Sequence, residues 1–393
     1  MMKSSTILIA ADTYYPTING ASRFIYGLAH GLAERGHDVH IVCPDTTGEG
    51  QRVEHEGNVT LHRIWSVPSM LYGDFRVVIP GTASKQIKRI VDEIKPSVIH
   101  IQCHFSVGRA AAAIAKKEHI RLIGTNHTMP ENILAHVPFL IGPSRNWVAG
   151  ASWKDCGRIF KKCDVATAPT PRAANFLEKE GRVPTVWPIS CGIDTSHYDA
   201  KEGEIIPKHE GKQILFVGRL DQEKNLDILI KAMQYIPSED HAHLKIVGHG
   251  LEEEPLKKLV EELNLEDKVF FTGKISDEEL RLAYLEADVF AMPGTAELQS
   301  LATLEAMCAD NPIVAADAMA LPHLIKKGKN GYLFEPNNIH DLAKKLHRVL
   351  SASDEERLAM GKVSKSMTYK HSLDATLDKF EKLYAGANSP EKS

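Results

Sequence analysis

Short β-branched runs separated by longer amphipathic stretches are the feature that most restricts this chain. That rhythm is the sequence form of a parallel sheet wrapped by helices. Residues 6–12, 37–44, 59–65, 97–103, 121–127 and 165–169 read as buried strands with helical segments between them. The series restarts at 213–220 and continues through 243–248, 268–273, 289–293, 312–317 and 331–336. At 393 residues the chain exceeds the size at which one core stops growing. The reading is therefore α/β, two doubly wound Rossmann-like domains in tandem. Residues 194–212 are polar, carry several charges and contain Pro207, which suits a linker. The domains are expected at 1–198 and 199–367, with a C-terminal helix at about 368–386 returning to the first. Open parallel sheets bind ligands beyond the carboxyl ends of their strands, so two such domains are expected to face across a cleft.

Composition narrows the function classes. Hydrophobic residues make up 43% and charged residues 25%, without a low-complexity tract. Residues 1–200 hold 22 Lys+Arg against 18 Asp+Glu, a net +4, and residues 201–393 hold 25 against 33, a net −8. Neither value favours nucleic acid as a partner. Cys43, Cys103, Cys156, Cys163, Cys191 and Cys308 are scattered without a C-x-x-C pair, which argues for reduced, buried thiols rather than a disulfide framework or zinc ribbon. The apolar run before Asp12 is too short for a signal peptide or membrane span, so a cytosolic protein is expected. Disorder is expected only at the ends, as in the polar tail 387–393.

The residues with chemical potential follow strands. After the first comes Tyr15-Pro16-Thr17-Ile18-Asn19-Gly20, opening a helical run. A glycine at a helix mouth lets backbone N–H groups approach a phosphate, though a plain turn glycine reads the same way. The dinucleotide fingerprint G-x-G-x-x-G is absent, because Gly248-His249-Gly250 has Glu253 in the third position. In the second half a strand ends in Gly218-Arg219-Leu220, followed by Glu223-Lys224-Asn225. An arginine fork and a lysine point charge across a strand-to-helix turn can clamp a diphosphate; two solvated surface cations are the plainer alternative. Next, 297–305 carries Glu297 and Glu305 around a helix expected to start near Gln299. That places Glu297 at the mouth, Glu305 about two turns along, and the amides of Leu298, Gln299, Ser300 and Leu301 beside a phosphate.

Taken together, Asn19-Gly20, Gly218-Arg219-Leu220, Glu223-Lys224-Asn225, Phe271-Thr272-Gly273 and Glu297 to Glu305 with Ala306-Met307 resemble the retaining glycosyltransferases of family 4, whose fold is called GT-B. The likeness runs from about residue 7 to 345. It implies a C-terminal domain that binds a nucleotide diphosphate sugar, UDP-glucose or GDP-mannose in type, and an N-terminal domain that binds the acceptor. On the same grounds Arg219 and Lys224 would neutralise the diphosphate, Glu305 would bind the ribose, and Glu297 would hold hydroxyls of the transferred sugar. Asn19 and Gly20 would sit under the phosphates, Gly218 would line the donor site, and Lys274 and Ile275 would pack on the nucleobase. His127 matches the histidine near the reaction centre; a satisfied strand-end histidine is its plainer reading. The chemistry implied is transfer with retention, without a cofactor or metal. Ser300 departs from the family's usual glycine, and Cys191-Gly192-Ile193-Asp194 from its usual Asn-Gly.

For the acceptor, 100–108 with Gln299 resembles family members that glycosylate membrane lipids of the diacylglycerol or phosphatidylinositol type. His100, Cys103 and His104 make a poor metal set, since on a strand 103 points away from 100 and 104. In 144–162, Trp147, Trp153 and Phe160 alternate with Arg145, Lys154, Arg158, Lys161 and Lys162. The stretch reads as a helix for an anionic membrane surface or as one packing its aromatics on the sheet. A peripheral place on the inner face of the membrane follows from the first of these. Two other functions are open: a transferase or phosphorylase of the same fold acting on a soluble sugar or small molecule, and a non-enzymatic two-lobed sugar-binding protein.

Overall fold

The computed structural model describes residues 4–17, 19–69, 76–129, 142–206 and 210–391, with 142–146 as helix backbone only. Ile18, Pro207, the Arg145 side chain and the last two residues of the tail thus lie outside the described residues. Two compact units form, one from the residues up to Gly192 together with those from Leu373 onward, the other from Ile193–Ser372.

The first unit is built on β1 (Thr6–Ala10), β2 (Asp38–Pro44), β3 (Arg52–Glu56), β4 (Val59–Ile64), β7 (Val98–Ile101), β8 (Arg121–Thr125), β9 (Val165–Ala168) and β10 (Val186–Pro188), between which the short β5 (Val67–Pro68) and β6 (Arg76–Val77) form a separate ribbon. The sheet order is β10-β9-β8-β7-β1-β2-β4-β3, parallel except for β3. Strand β3 was not expected from the sequence. Its residues are polar apart from the exposed Val53 and it sits on the sheet edge, so no apolar run announces it. Helices α1 (Gly20–Glu34), α2 (Pro80–Ile94), α3 (Ser106–Lys117), α4 (Gly142–Phe160) and α5 (Pro171–Lys179) connect the strands. Leu8, Val42, Ile99, Ile101 and Leu122 of the sheet are packed by Ile87 and Ile90 of α2, the alanine face of α3 and Ile159 of α4.

The second unit carries β11 (Lys212–Val217), β12 (Ala242–Val247), β13 (Val269–Gly273), β14 (Val289–Met292), β15 (Ile313–Ala316) and β16 (Gly331–Phe334), all parallel, in the order β13-β12-β11-β14-β15-β16. This is the Rossmann order. Helices α6 (Leu226–Ala232), α7 (Glu253–Glu262), α8 (Asp277–Glu286), α9 (Leu301–Cys308), α10 (Ile339–Leu350) and α11 (Asp354–Thr368) complete it. Phe216, Leu244, Ile246, Phe290, Val314 and Leu346 belong to one continuous core.

Helix α12 (Leu373–Tyr384) belongs to the first unit. A Cβ at Gly31 would lie 2.6 Å from Leu377 Cδ1, so the glycine leaves room for the Leu377 side chain of α12 to pack directly on α1. Arg35 donates to Asp378 and Glu381 at 2.7 Å and to Asp374 at 2.8 Å, and Arg121 Nε donates to the Leu383 carbonyl at 2.6 Å. The change of unit at Gly192–Ile193 comes earlier than the 198–199 boundary expected from composition. Its reason is packing: Tyr198 is buried against Tyr284 at 5.5 Å, and the Ile193 amide donates to the His371 carbonyl at 2.9 Å.

Candidate active site

Neighbouring strands β11 and β14 are where the strand order of the second unit reverses, and ligands of such sheets bind at that point. The loops leaving both strands carry the expected charges. Lys224 and Glu297 form an ion pair across the two loops, with side chains 17% and 11% exposed, so neither is a loosely solvated charge. Asn225, at φ 49°, ties the same loops by donating to the Pro293 carbonyl at 3.3 Å and Thr295 Oγ1 at 3.1 Å. Arg219 is held by Asp221 at 2.5 Å and Glu223 at 3.0 Å, two carboxylates whose part the sequence reading missed. The cations are thus pre-positioned by carboxylates rather than left open.

The loop after β12 braces this edge. Gly248, at φ 130°, would bring a Cβ to 1.9 Å from the Gly218 carbonyl, so the Gly248-His249-Gly250 segment allows close loop packing. The Leu220 amide donates to the His249 carbonyl at 3.0 Å, and the Gly248 amide to Gly273 at 3.0 Å. Lys274 and Ile275 follow Gly273 at the same edge, Lys274 exposed and Ile275 packed partly on the core.

Helix α9 starts at Leu301, not near Gln299 as expected, because Ser300 is its N-cap in the left-handed region at φ 63°. This is the conformation that glycine adopts most readily; here Ser300 Oγ is placed 2.7 Å from Thr303 Oγ1. Glu305 therefore lies only about one turn into the helix, roughly 6 Å along its axis, instead of two. It is 4% exposed and accepts the Tyr284 hydroxyl at 2.6 Å, a partner that sequence spacing could not reveal. Leu298, Gln299, Ser300 and Leu301 lie together at the mouth of α9 beside Glu297.

In the first unit the order reverses between β1 and β7. Asn19 caps α1, accepting from the Ser22 amide at 2.9 Å, and a Cβ at Gly20 would meet no atom within 4 Å, so the helix mouth is open. Asp12, after β1, accepts the Val107 and Gly108 amides at 2.8 and 3.1 Å; burial outweighs these bonds and pushes its pKa up to about 6. His127, after β8, meets Gln102 Oε1 at 3.0 Å through Nε2 and packs on Phe24 at 4.7 Å, and burial lowers its pKa to about 3. Both ring nitrogens of His100 have partners, Tyr384 Oη and Thr125 Oγ1, each at 2.7 Å.

Helix α4 divides the aromatics that the sequence reading grouped together. Trp153 and Phe160 are buried, as the packing alternative required, whereas Trp147 is 76% exposed. Ala151, Lys154 and Arg158 lie exposed on the same helical face as Trp147, at spacings of four, seven and eleven. No helix among the described residues is long and apolar enough to cross a membrane.

Comparison with known proteins agrees with this architecture. The family described as "Glycosyltransferase Family 4" matches residues 18–197, and "Glycosyl transferases group 1" matches 199–367. The alpha-monoglucosyldiacylglycerol synthase of Acholeplasma laidlawii is 26% identical over 345 residues, 84% of each chain. The sulfoquinovosyl transferase of Arabidopsis thaliana is 29% identical, covering 95% of this chain and 71% of its own. A GDP-mannose-dependent alpha-mannosyltransferase of Corynebacterium glutamicum is 24% identical over 85% of this chain and 78% of its own. Among solved structures, sucrose-phosphate synthase from Thermosynechococcus elongatus superposes with a TM-score of 0.80 at 20% identity, covering 98% of both chains, a likeness of fold. With both halves matched in this order, the chain belongs to the family 4 glycosyltransferases of GT-B fold.

Proposed function

We propose that the protein transfers a hexose from a nucleoside diphosphate sugar to a membrane-lipid acceptor with retention at the anomeric carbon. The observation that carries the donor half is the Lys224–Glu297 pair at the reversal point of the second sheet, with Arg219 beside it. Arg219 and Lys224 stabilise the charge that grows on the leaving diphosphate, the electrostatic effect that usually dominates such transfers. Glu297, released from Lys224 as the diphosphate takes its place, accepts hydroxyls of the sugar. Glu305 takes the ribose hydroxyls, oriented by Tyr284. Gly218 and the α9 mouth line the phosphates, Lys274 and Ile275 the base, and Asn19 with Gly20 offers the open α1 mouth. His127, neutral in its setting, borders the reaction centre.

In the transfer the bond from the anomeric carbon to the diphosphate oxygen breaks, and the acceptor oxygen bonds to that carbon on the same face. The acceptor proton passes to the departing diphosphate oxygen. Two fixed protein cations supply the counter-charge, so no metal is required on this reading.

The lipid acceptor is supported by two bacterial relatives named alpha-monoglucosyldiacylglycerol synthase. It is also supported by the exposed face of α4, where Trp147 with Lys154 and Arg158, and Lys161 just beyond, suits an anionic bilayer. The test has two stages. Thermal shifts in EDTA with UDP, GDP, ADP and their sugars identify the donor, since a ligand of the folded state raises the melting temperature. Turnover with diacylglycerol vesicles or with soluble sugars then identifies the acceptor, and proton NMR of the first-formed product reads the anomer. No shift with any nucleotide, or an inverted anomer, sinks the corresponding half.

A further inference from the structure

We propose that Gln102 is a positioning residue for the transfer reaction, its amide oxygen holding the His127 imidazole in one orientation and as the Nε2–H tautomer. This rests on the place given above to His127 beside the reaction centre. Gln102 directly follows β7 and stays in register with the sheet, its amide donating to the Ala10 carbonyl at 3.0 Å. Its side chain is therefore aimed by the sheet, not by a loop. Oε1 lies 3.0 Å from His127 Nε2. An amide oxygen only accepts, so Nε2 carries the proton and Nδ1 keeps the lone pair. On the other side, Cys191 Sγ lies 3.9 Å from Nδ1, as a weak S–H donor to an unprotonated nitrogen would. The Phe24 ring covers the imidazole at 4.7 Å. Residues following β7 and β10 and one from α1 thus restrain a single ring.

A second observation points the same way. Gln102 is 2% exposed, yet its Nε2 has no hydrogen-bond partner among the described residues. Burying half an amide unsatisfied is unfavourable, and an aliphatic residue of similar size would avoid it. The oxygen's hold on His127 accounts for a glutamine at this point. Charge is not what the contact controls. Burial lowers the pKa of His127 to about 3 with no carboxylate or cation contributing, and its neighbour His100 is neutral for the same reason. What remains to be set in a neutral imidazole is which nitrogen bears the proton and where the ring points.

The test uses full-length protein labelled with 15N-histidine, His127 being assigned by its loss in His127→Asn. Long-range 15N–1H spectra distinguish the tautomers. The unsubstituted protein is expected to show Nε2–H from pH 6 to 9. Gln102→Met, without an acceptor, should show mixed tautomers and a kcat lower by roughly 10- to 100-fold with donor KM nearly unchanged, the scale for a misplaced group near the reacting atoms. Gln102→Glu keeps an acceptor, so it should restore the single tautomer and most of kcat at high pH. Its carboxylate also raises the His127 pKa, adding a fall in activity on the acid side that the unsubstituted enzyme lacks. If the Met variant fails to fold, the Glu variant alone carries the test through its pH profile. An Nδ1–H tautomer in the unsubstituted protein, or an unaltered tautomer and kcat in Gln102→Met, overturns the proposal. A changed tautomer with unchanged kcat removes His127 from the transfer and with it the use of Gln102.

Discussion

Acid should unfold the first unit before the second, because four histidines of the first are held neutral. Burial lowers His62 and His104 to about 4 and His100 and His127 to about 3. In the unfolded chain each takes a proton near pH 6.5. Their contribution to stability is complete above that pH and is lost as pH falls from 6.5 toward the folded values, by about 1.4 kcal/mol per pH unit for each histidine. Asp12 acts in the opposite sense. Its folded pKa is raised to about 6, so it adds stability as pH falls from 6 toward 3.8. With the roughly 2 kcal/mol lost between pH 7 and 6, the net loss of about 4 kcal/mol per pH unit below pH 6 would consume a stability of roughly 6 kcal/mol near pH 5. In the second unit, burial lowers His323 among the described residues, and its depressed carboxylates such as Glu278 matter only below their ordinary range. The assay is built in, since Trp65, Trp147, Trp153 and Trp187 all lie in the first unit. Urea unfolding followed by tryptophan fluorescence at pH 7, 6 and 5 reads that unit alone, while far-UV circular dichroism reads both. A fall of less than about 1 kcal/mol between pH 6 and 5 would refute the reasoning.

Four further outcomes follow from the site and the surface. Lys224→Met should lower kcat by roughly 10² to 10³ and weaken binding of the free nucleoside diphosphate, measured by calorimetry. Glu297→Gln, which removes the carboxylate that competes for Lys224, should reduce turnover while strengthening that diphosphate affinity, and Glu305→Gln should weaken donor binding in proportion to the ribose contact, seen in KM. On α4 and just past its end, Lys154→Gln with Lys161→Gln should remove about 2 kcal/mol of attraction to anionic vesicles, near a 30-fold fall in partitioning by flotation. Equal binding to neutral and anionic vesicles would dismiss that surface.

The strands and their order in the chain were legible because an apolar run flanked by turn residues is a local property. The runs at 6–12, 37–44 and 289–293 appear as β1, β2 and β14 with ends within two residues. The charged motifs were legible for a related reason, since Arg219, Lys224 and Glu297 sit in the loops that follow strands. Strand β3 escaped because a polar edge strand is defined by its partner β4 and not by its own residues.

What the sequence by itself determined was therefore the alternation of elements, the family and the residue types at the sheet edges. Only the tertiary structure decided who meets whom. Glu305 with Tyr284, Asn225 with Thr295, Asp12 with the first amides of α3, and Gln102 with His127 are separated by 21, 70, 95 and 25 residues. Such pairs depend on which strands lie side by side, and the β11–β14 and β1–β7 neighbours arise from crossing over the sheet rather than from adjacency in sequence. The division of α4 into a buried face with Trp153 and an exposed one with Trp147 was settled in the same way, by which side of a helix the sheet covers.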